Sequence, residues 1–263
     1  MKRQSSRDTG IAAVQAEMGS AEGRRALTAE FLGTLLFVVF GAGTAAVTAG
    51  LLAERMTSAR LLVMALAHGV AYAILVAATL PISGGHLNPA VTAAALMSKQ
   101  IGLAKAGLYV IAQCAGAVAG ALMLTIMIPP SLHGTLGAET LAARVTIAGG
   151  VLTEIILTAV LVAAVLAAAR GVSPVRLGVV GLVVVLGQLL GGPLTGGAMN
   201  PARVFGPVLM TGAWANHWIY WLGPLVGASL GVVLHDFCFG LTSKGTTRSV
   251  GDLHHRPSPA RSV

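Results

Sequence analysis

Six apolar segments constrain the fold of this chain more than any other feature. They lie at approximately 27–50, 60–80, 104–127, 148–169, 174–192 and 217–240. About 20 apolar residues form a helix that crosses the hydrocarbon core of a bilayer. Only 10% of the residues are charged, and the apolar runs are continuous rather than alternating, which favours helices over the strands of a membrane barrel. The sequence therefore predicts an all-α membrane protein with six transmembrane helices.

The basic residues indicate how these helices are oriented. The formal net charge is +8, which by itself is compatible with nucleic-acid binding. Most basic residues, however, fall in the two termini and in alternate loops: Lys2, Arg3, Arg7, Arg24, Arg25, Lys99, Lys105, Arg170, Arg176, Lys244, Arg248, Arg256 and Arg261. The remaining loops hold only Arg55, Arg60 and Arg144. The positive-inside rule then predicts an even number of spans with both termini in the cytoplasm, and we expect no nucleic-acid partner.

The ends of the chain differ in composition from the apolar centre. Residues 1–25 and 241–263 are rich in Ser, Arg and Thr, and we expect them to be cytoplasmic tails without a domain. The first apolar segment follows a charged leader without a small-residue cleavage site, so we interpret it as a retained span and not a signal peptide. Cys114 and Cys238 fall in different predicted spans, and we expect neither a disulfide nor a metal site.

A tripeptide, Asn-Pro-Ala, occurs twice, and each copy follows a Gly-Gly pair. The copies are Asn88, Pro89 and Ala90, and Asn200, Pro201 and Ala202. Asparagine is favoured at a helix N-cap and proline at the first helical position, so each copy predicts the start of a helix. About ten residues follow each copy before Ser98 and Thr211, too few to cross roughly 30 Å of hydrocarbon. We therefore predict two re-entrant half-helices.

The two halves of the chain form an internal repeat, residues 26–130 and 145–240. Beyond the Asn-Pro-Ala copies, residues 29–34 correspond to 153–158, and residues 83–88 to 195–200. Each half has three spans, an odd number, so the second half inserts upside down relative to the first. The half-helices then enter from opposite faces and meet by their N-termini, where the positive dipole ends and the asparagine amides disfavour cations.

Irregular backbone precedes each half-helix at membrane depth. Such backbone persists only where protein covers it or water bathes it, so we expect its carbonyl groups to line an aqueous path. The candidate pore-lining residues are Gly84, Gly85, His86, Gly196 and Ala198.

Four sequence segments together resemble the major intrinsic proteins, the aquaporin family. They are SGGHLNPAVT at 83–92, GGAMNPAR at 196–203, AEFLGT at 29–34 and HWIYWLGPLVGA at 217–228. The resemblance covers roughly residues 26–240 and implies an aquaporin-like channel domain of six spans plus two half-helices. It also implies a homotetramer in a lipid bilayer that passes water and small neutral solutes without a cofactor.

The resemblance places a four-residue selectivity filter at His68, Gln188, Gly197 and Arg203. Arg203 would donate hydrogen bonds to the solute and repel cations. The commonest water-specific pattern has phenylalanine in the second span and histidine in the fifth, so this chain departs from it. His68 with a small Gly197 is more similar to the plant tonoplast intrinsic proteins, several of which pass ammonia or urea.

Other positions distinguish this chain from glycerol channels. Those channels usually carry aspartate after the motif arginine and smaller residues early in the last span, whereas this chain has Val204 and then Tyr220 and Trp221. That difference favours water-type selectivity. A polar filter with His68 and Gln188 also suits ammonia or small amides, so these solutes remain open.

Two hypotheses apply to each of the titratable residues that we expect to be buried. By resemblance, Glu30 and Glu154 accept hydrogen bonds from the irregular loops and hold the half-helices in place. The alternative is a proton relay or an ion-coupling site. His86 resembles a histidine of the cytoplasmic vestibule, where pH sensing is an alternative to a packing role.

We therefore predict a passive channel for water, with ammonia or another small neutral solute as further candidates, that excludes protons and ions. The alternatives are a channel mainly for glycerol, urea or ammonia, an ion-coupled secondary transporter, and a purely structural junction protein. The sequence offers no nucleophile–base pair, metal-ligand cluster or phosphate loop, so we expect no enzyme. The expected location is a cell membrane, either a plasma membrane or a bacterial inner membrane.

Overall fold

The computed structural model describes residues 2–52, 56–171 and 173–240, and within these ranges the chain is helical without strands. The helices are α1 Lys2–Gly19, α2 Ala21–Leu52, α3 Ser58–Ser83, α4 Pro89–Met97, α5 Leu103–Met127, α6 Ile147–Ala169, α7 Pro174–Gly191, α8 Pro201–Thr211 and α9 Ile219–Phe239. A short 3-10 turn, Pro130–Leu132, lies between α5 and α6. In the described part of the chain, six helices are long and apolar enough to cross a membrane: α2, α3, α5, α6, α7 and α9. The predicted fold class is confirmed.

The N-terminal boundary differs from the sequence prediction. The first span was expected to begin near residue 27, but α2 begins at Ala21 and follows α1 almost directly. Strong helix formers, including Glu22 and Arg24, extend the helix beyond the apolar segment, and the Ser20 Oγ accepts a hydrogen bond from the Gly23 N–H at 2.9 Å. The predicted C-terminal tail, 241–263, lies outside the described residues.

The helices pack in two equivalent sets. Helix α2 packs on α5 as α6 packs on α9, and each half-helix contacts the last span of the other repeat, α4 on α9 and α8 on α5. Glycines allow the close approach in both sets: a Cβ on Gly116 would collide with the Phe31 oxygen, and a Cβ on Gly227 would lie 2.5 Å from the Ile155 oxygen. These small residues therefore serve packing within the protomer.

The two repeats also meet where α3 packs on α7. A Cβ on Gly69 would lie 2.5 Å from the Gly181 oxygen, and a Cβ on Gly181 would lie 2.7 Å from the Gly69 oxygen. This reciprocal contact places the pseudo-two-fold axis between the two glycines. On the outer surface, large apolar side chains such as Ile74 and Leu182, each 61% exposed, face away from the protein as a lipid environment requires.

Candidate functional site

The loops before the two half-helices follow the same backbone path. In the first loop Gly84 and Gly85 have φ of 92° and 62°, and in the second Gly196 and Gly197 have φ of 88° and 65°. Glycine adopts these values without a steric penalty, which explains the Gly-Gly pair in each repeat. Leu87 and Met199 also have positive φ, 51° and 52°.

Positive φ is uncommon for residues with a Cβ and persists only where the surroundings hold it. Both residues are also buried, with Leu87 at 0% and Met199 at 2% exposure. Contacts with surrounding residues must therefore hold these strained loops.

Asparagine begins each half-helix. The Asn88 Oδ1 accepts a hydrogen bond from the Ala90 N–H at 2.8 Å. The Asn200 Oδ1 accepts from the Ala202 and Arg203 N–H groups at 3.1 and 3.3 Å. Pro89 and Pro201 occupy the first helical positions. Both half-helices therefore begin at the residues that the Asn-Pro pairs predicted.

The two asparagines also join the half-helices across the protein. The Asn88 Nδ2 donates to the Met199 oxygen at 2.8 Å, and the Asn200 Nδ2 donates to the Leu87 oxygen at 2.8 Å. Each amide has two N–H groups, so this cross-link uses one and leaves one for another acceptor. The arrangement brings two helix N-termini, with their positive dipole ends, together at the centre of the bundle.

Two buried carboxylates hold the loops in a matching way. Glu154 Oε1 accepts from the Thr195 hydroxyl at 2.6 Å and from the Ala198 N–H at 3.0 Å, and its Oε2 accepts from the Met199 N–H at 2.9 Å. Each of these donors belongs to the loop before α8. The carboxylate thus satisfies backbone groups that no helix or strand could satisfy.

Glu30 makes the corresponding contacts in the first repeat. Its Oε1 accepts from the Ser83 hydroxyl at 2.6 Å and from the His86 N–H at 2.9 Å. Its Oε2 accepts from the Leu87 N–H at 2.6 Å and from the Gln113 amide at 2.7 Å. The structure therefore places both glutamates, each 0% exposed, against the loops that the sequence assigned to them.

His68 and Arg203, which the resemblance placed in the filter, are in direct contact. The His68 Nε2 lies 2.6 Å from an Arg203 Nη, and its Nδ1 lies 2.8 Å from the Met64 oxygen. A guanidinium only donates and a carbonyl only accepts, so both bonds form together only if His68 is neutral with its proton on Nδ1. A Cβ on Gly41 would lie 2.8 Å from the imidazole, so this glycine provides the space for His68.

Gln188 and Gly197, the other two residues that the resemblance placed in the filter, are also in contact. The Gln188 Nε2 donates to the Gly197 oxygen at 2.9 Å. The Gln188 Oε1 is buried and has no hydrogen-bond partner among the described residues. Gln188 is 1% exposed and Arg203 is 0% exposed, so both side chains are buried inside the protein.

Sequence reasoning missed Glu139, which lies beside Arg203. Its carboxylate forms an ion pair with the Arg203 guanidinium and covers the α-carbon of Gly196, where a Cβ would collide with it. Glu139 therefore lies against both Arg203 and Gly196. One sequence signal was available: a buried arginine requires a counter-charge, and the chain has only nine acidic residues.

Two other histidines contact groups outside the His68–Arg203 and Gln188–Gly197 pairs. The His133 Nε2 contacts the Ile128 oxygen of its own loop at 2.8 Å. The His86 Nδ1 contacts the Thr92 hydroxyl at 3.1 Å, and its carbonyl accepts from the Tyr72 hydroxyl at 3.1 Å. Next to His86, a cavity of about 50 Å³ is lined by residues of the first loop and by apolar residues of α6 and α7. This volume is sufficient for water on the side where the first half-helix enters.

Comparisons with known proteins identify similar sequences and a similar fold. The family described as Major intrinsic protein matches residues 17–235. Aquaporin-4 of Mus musculus is 40% identical over 219 residues, which are 82% of this chain and 67% of that protein. The lens fiber major intrinsic protein of Ovis aries is 43% identical over 225 residues, covering 84% of this chain and 83% of that protein. A crystal structure described as the aquaglyceroporin from Plasmodium falciparum shares the fold, with a TM-score of 0.70. The two sequences are 23% identical, and the match covers 84% of this chain and 97% of that chain.

Proposed function

Because this chain belongs to the major intrinsic protein family, whose members are channels and not enzymes, we propose that it is a passive water channel that excludes protons and ions. One observation carries the proposal: the two half-helices meet by their N-termini and are joined through the Asn88 and Asn200 amides. Each asparagine amide has a second N–H that this cross-link does not use. The positive ends of two helices at the same point oppose cations.

We further propose His68, Gln188, Gly197 and Arg203 as the narrow filter of this channel. The contact of Arg203 with His68 and the contact of Gln188 with Gly197 support this assignment. In this proposal the loop residues Gly84, Gly85, His86, Gly196 and Ala198 contribute carbonyl groups to the pathway. Glu30 and Glu154 then act as scaffold groups, because the hydrogen bonds described above already occupy both oxygens of each carboxylate.

The family and the charge pattern support a proposal for the membrane location, the assembly and the orientation of the chain. The chain is a multi-pass membrane protein with six apolar helices. We propose a cell membrane as its location, a homotetramer as its assembly, and cytoplasmic termini on the basis of the basic residues in alternate loops.

Stopped-flow light scattering on proteoliposomes tests the water-channel proposal. Wild-type protein should make osmotic shrinkage faster than in protein-free liposomes, with little glycerol uptake. His68→Phe removes the acceptor that Arg203 contacts and should preserve water flux while decreasing urea or ammonia uptake. Gly107→Ala, at a position of α5 with nothing within 4 Å, is the control variant. Wild-type shrinkage no faster than in protein-free liposomes would refute the proposal.

An ion-coupled transporter is the main rival, and the same liposomes distinguish it. Coupling would require Glu30 or Glu154 to exchange a proton or ion during transport. Flux driven by a proton gradient in wild type, and abolished in Glu154→Gln, would support that rival. Osmotic water flux that is the same with and without the gradient supports the passive channel.

A further inference from the structure

Three side chains, each one turn from the next, follow one face of α3. His68 contacts Arg203 of the candidate filter. Val76, eight residues later, lines the cavity next to His86. Residues four apart on a helix lie on the same face, so Tyr72 occupies the position between these two. Tyr72 therefore lies between the candidate filter and the cavity.

The Tyr72 hydroxyl contacts the junction of the two half-helices. It donates a hydrogen bond to the His86 oxygen at 3.1 Å, and it also interacts with the Asn88 side chain. Because a carbonyl only accepts, the hydroxyl proton points to His86, and the phenol oxygen is left to accept from an N–H of the Asn88 amide. The Asn88 Nδ2 already donates one N–H to the Met199 oxygen. Tyr72 therefore engages the second N–H of this asparagine.

The Tyr72 ring fills space beside this junction. Its centroid lies 5.3 Å from that of the Phe37 ring of α2, in an edge-on arrangement. Tyr72 is only 1% exposed. Both rings belong to a buried apolar cluster that draws on both repeats and includes Leu161 of α6, Val184 of α7 and Met199 of the second loop. The ring is therefore held in place by residues of both halves of the chain.

The cavity next to His86 stops short of the junction. His86 and Val76 are among its lining residues, whereas Tyr72 and Asn88 are not. Both of these lining residues adjoin Tyr72, since the His86 oxygen accepts from its hydroxyl and Val76 lies one helical turn away. The Tyr72 side chain therefore lies between the water-sized space of the cavity and the Asn88 amide.

We propose that Tyr72 forms an inner constriction of the channel, which limits how fast water passes between the cavity and the two asparagines. This inference rests on the proposed channel function and deepens it. A water molecule that moves from the cavity to Asn88 must displace the Tyr72 hydroxyl from the His86 oxygen and from the second amide N–H. The hydroxyl holds the ring in the path, and the ring supplies the bulk that narrows it.

The test compares water permeability per reconstituted protein molecule in proteoliposomes, measured by stopped-flow light scattering. Tyr72→Phe removes the hydroxyl and keeps the ring, whereas Tyr72→Val removes both. Leu124→Ala is the matched control, because it removes bulk from a different buried cluster, formed mainly by α2 and α5. A gain in permeability is the readout, since damage to the fold either lowers water flux or makes the liposomes leak, and a trapped fluorescent dye detects leakage.

We expect Tyr72→Phe to raise water permeability about two- to tenfold, the factor that corresponds to the loss of one hydrogen bond between neutral groups. Tyr72→Val should raise it at least as much, without loss of the trapped dye. Leu124→Ala should not raise it.

Unchanged or lower water flux in Tyr72→Val would overturn the constriction, as would an equal gain in Leu124→Ala or a gain accompanied by loss of the dye. Unchanged flux in Tyr72→Phe alone would overturn the role of the hydroxyl. Failure of the channel proposal itself is recognised differently, since neither wild type nor any variant would then conduct water faster than protein-free liposomes.

Discussion

Replacing Glu154 with glutamine should destabilise the protein by the loss of one hydrogen bond. The carboxylate accepts from the Ala198 N–H through Oε1 and from the Met199 N–H through Oε2. A glutamine amide has one oxygen and one NH₂ group, so in either orientation one of these backbone N–H groups faces a donor. The Thr195 hydroxyl can adapt because it both donates and accepts, whereas a backbone N–H cannot.

The magnitude follows from the number of bonds lost. A hydrogen bond to a charged group contributes about 1.5–3 kcal/mol, so Glu154→Gln should lower the free energy of unfolding by about 2 kcal/mol. For a chain of this size, that corresponds to a fall of roughly 4–8 °C in the unfolding midpoint. Glu154→Ala removes all three bonds, about 5–9 kcal/mol, which is comparable to the whole stability of many proteins.

Thermal unfolding of purified protein in detergent measures this difference. Glu22→Gln, which removes an exposed carboxylate, is the matched control and should change the midpoint by less than about 2 °C. The scaffold argument is refuted if Glu154→Ala is as stable as wild type. It is also refuted if Glu154→Gln keeps the wild-type midpoint but loses passive water flux, because the carboxylate would then act in transport.

Three further outcomes are expected. Gly120→Ala should destabilise the packing of α2 on α5 by about 1–3 kcal/mol, because its Cβ would lie 2.6 Å from a backbone oxygen. Gly107→Ala, where nothing lies within 4 Å, should leave the unfolding midpoint unchanged or slightly higher. Gly197→Cys should make water flux sensitive to mercurials, whereas wild type should be inhibited only weakly. Strong inhibition of wild type would point instead to one of its two free cysteines, Cys114 and Cys238, or to a wrong alignment of the filter position. Burial lowers the pKa of His217 in the folded protein. Below about pH 6.5 the unfolded state therefore binds more protons than the folded state, and the free energy of unfolding falls as the pH falls. His217→Gln should reduce that pH dependence of the unfolding midpoint.

Local signals explain why much of the fold was predictable from sequence. A continuous apolar run has few stable arrangements in a bilayer other than a helix, so the six spans followed from composition and length. Asn88 and Asn200 specify helix starts through their own side chains, and the Gly-Gly pairs mark backbone with positive φ. The predicted start of α2 was wrong by about six residues, because strong helix formers continue the helix beyond the apolar segment.

The candidate filter was predictable from the sequence only in part. Spacing from the Asn-Pro-Ala motif, together with the family resemblance, was enough to name His68, Gln188, Gly197 and Arg203 as candidates. The partner of Arg203 could not be named in the same way. Glu139 is distant from it in sequence and belongs to an irregular loop without a repeat or a motif.

The sequence by itself determined the membrane environment, the inverted repeat and the starts of the half-helices, since each depends on the preferences of a few neighbouring residues. Only the tertiary structure decided that Asn88 and Asn200 bond across the centre and that Glu139 neutralises Arg203. These contacts join residues far apart in the chain, and their geometry depends on the packing of several helices and on the path of one buried loop. Such contacts form because a buried charge or backbone polar group must find a partner, but which partner is available is set by the complete fold.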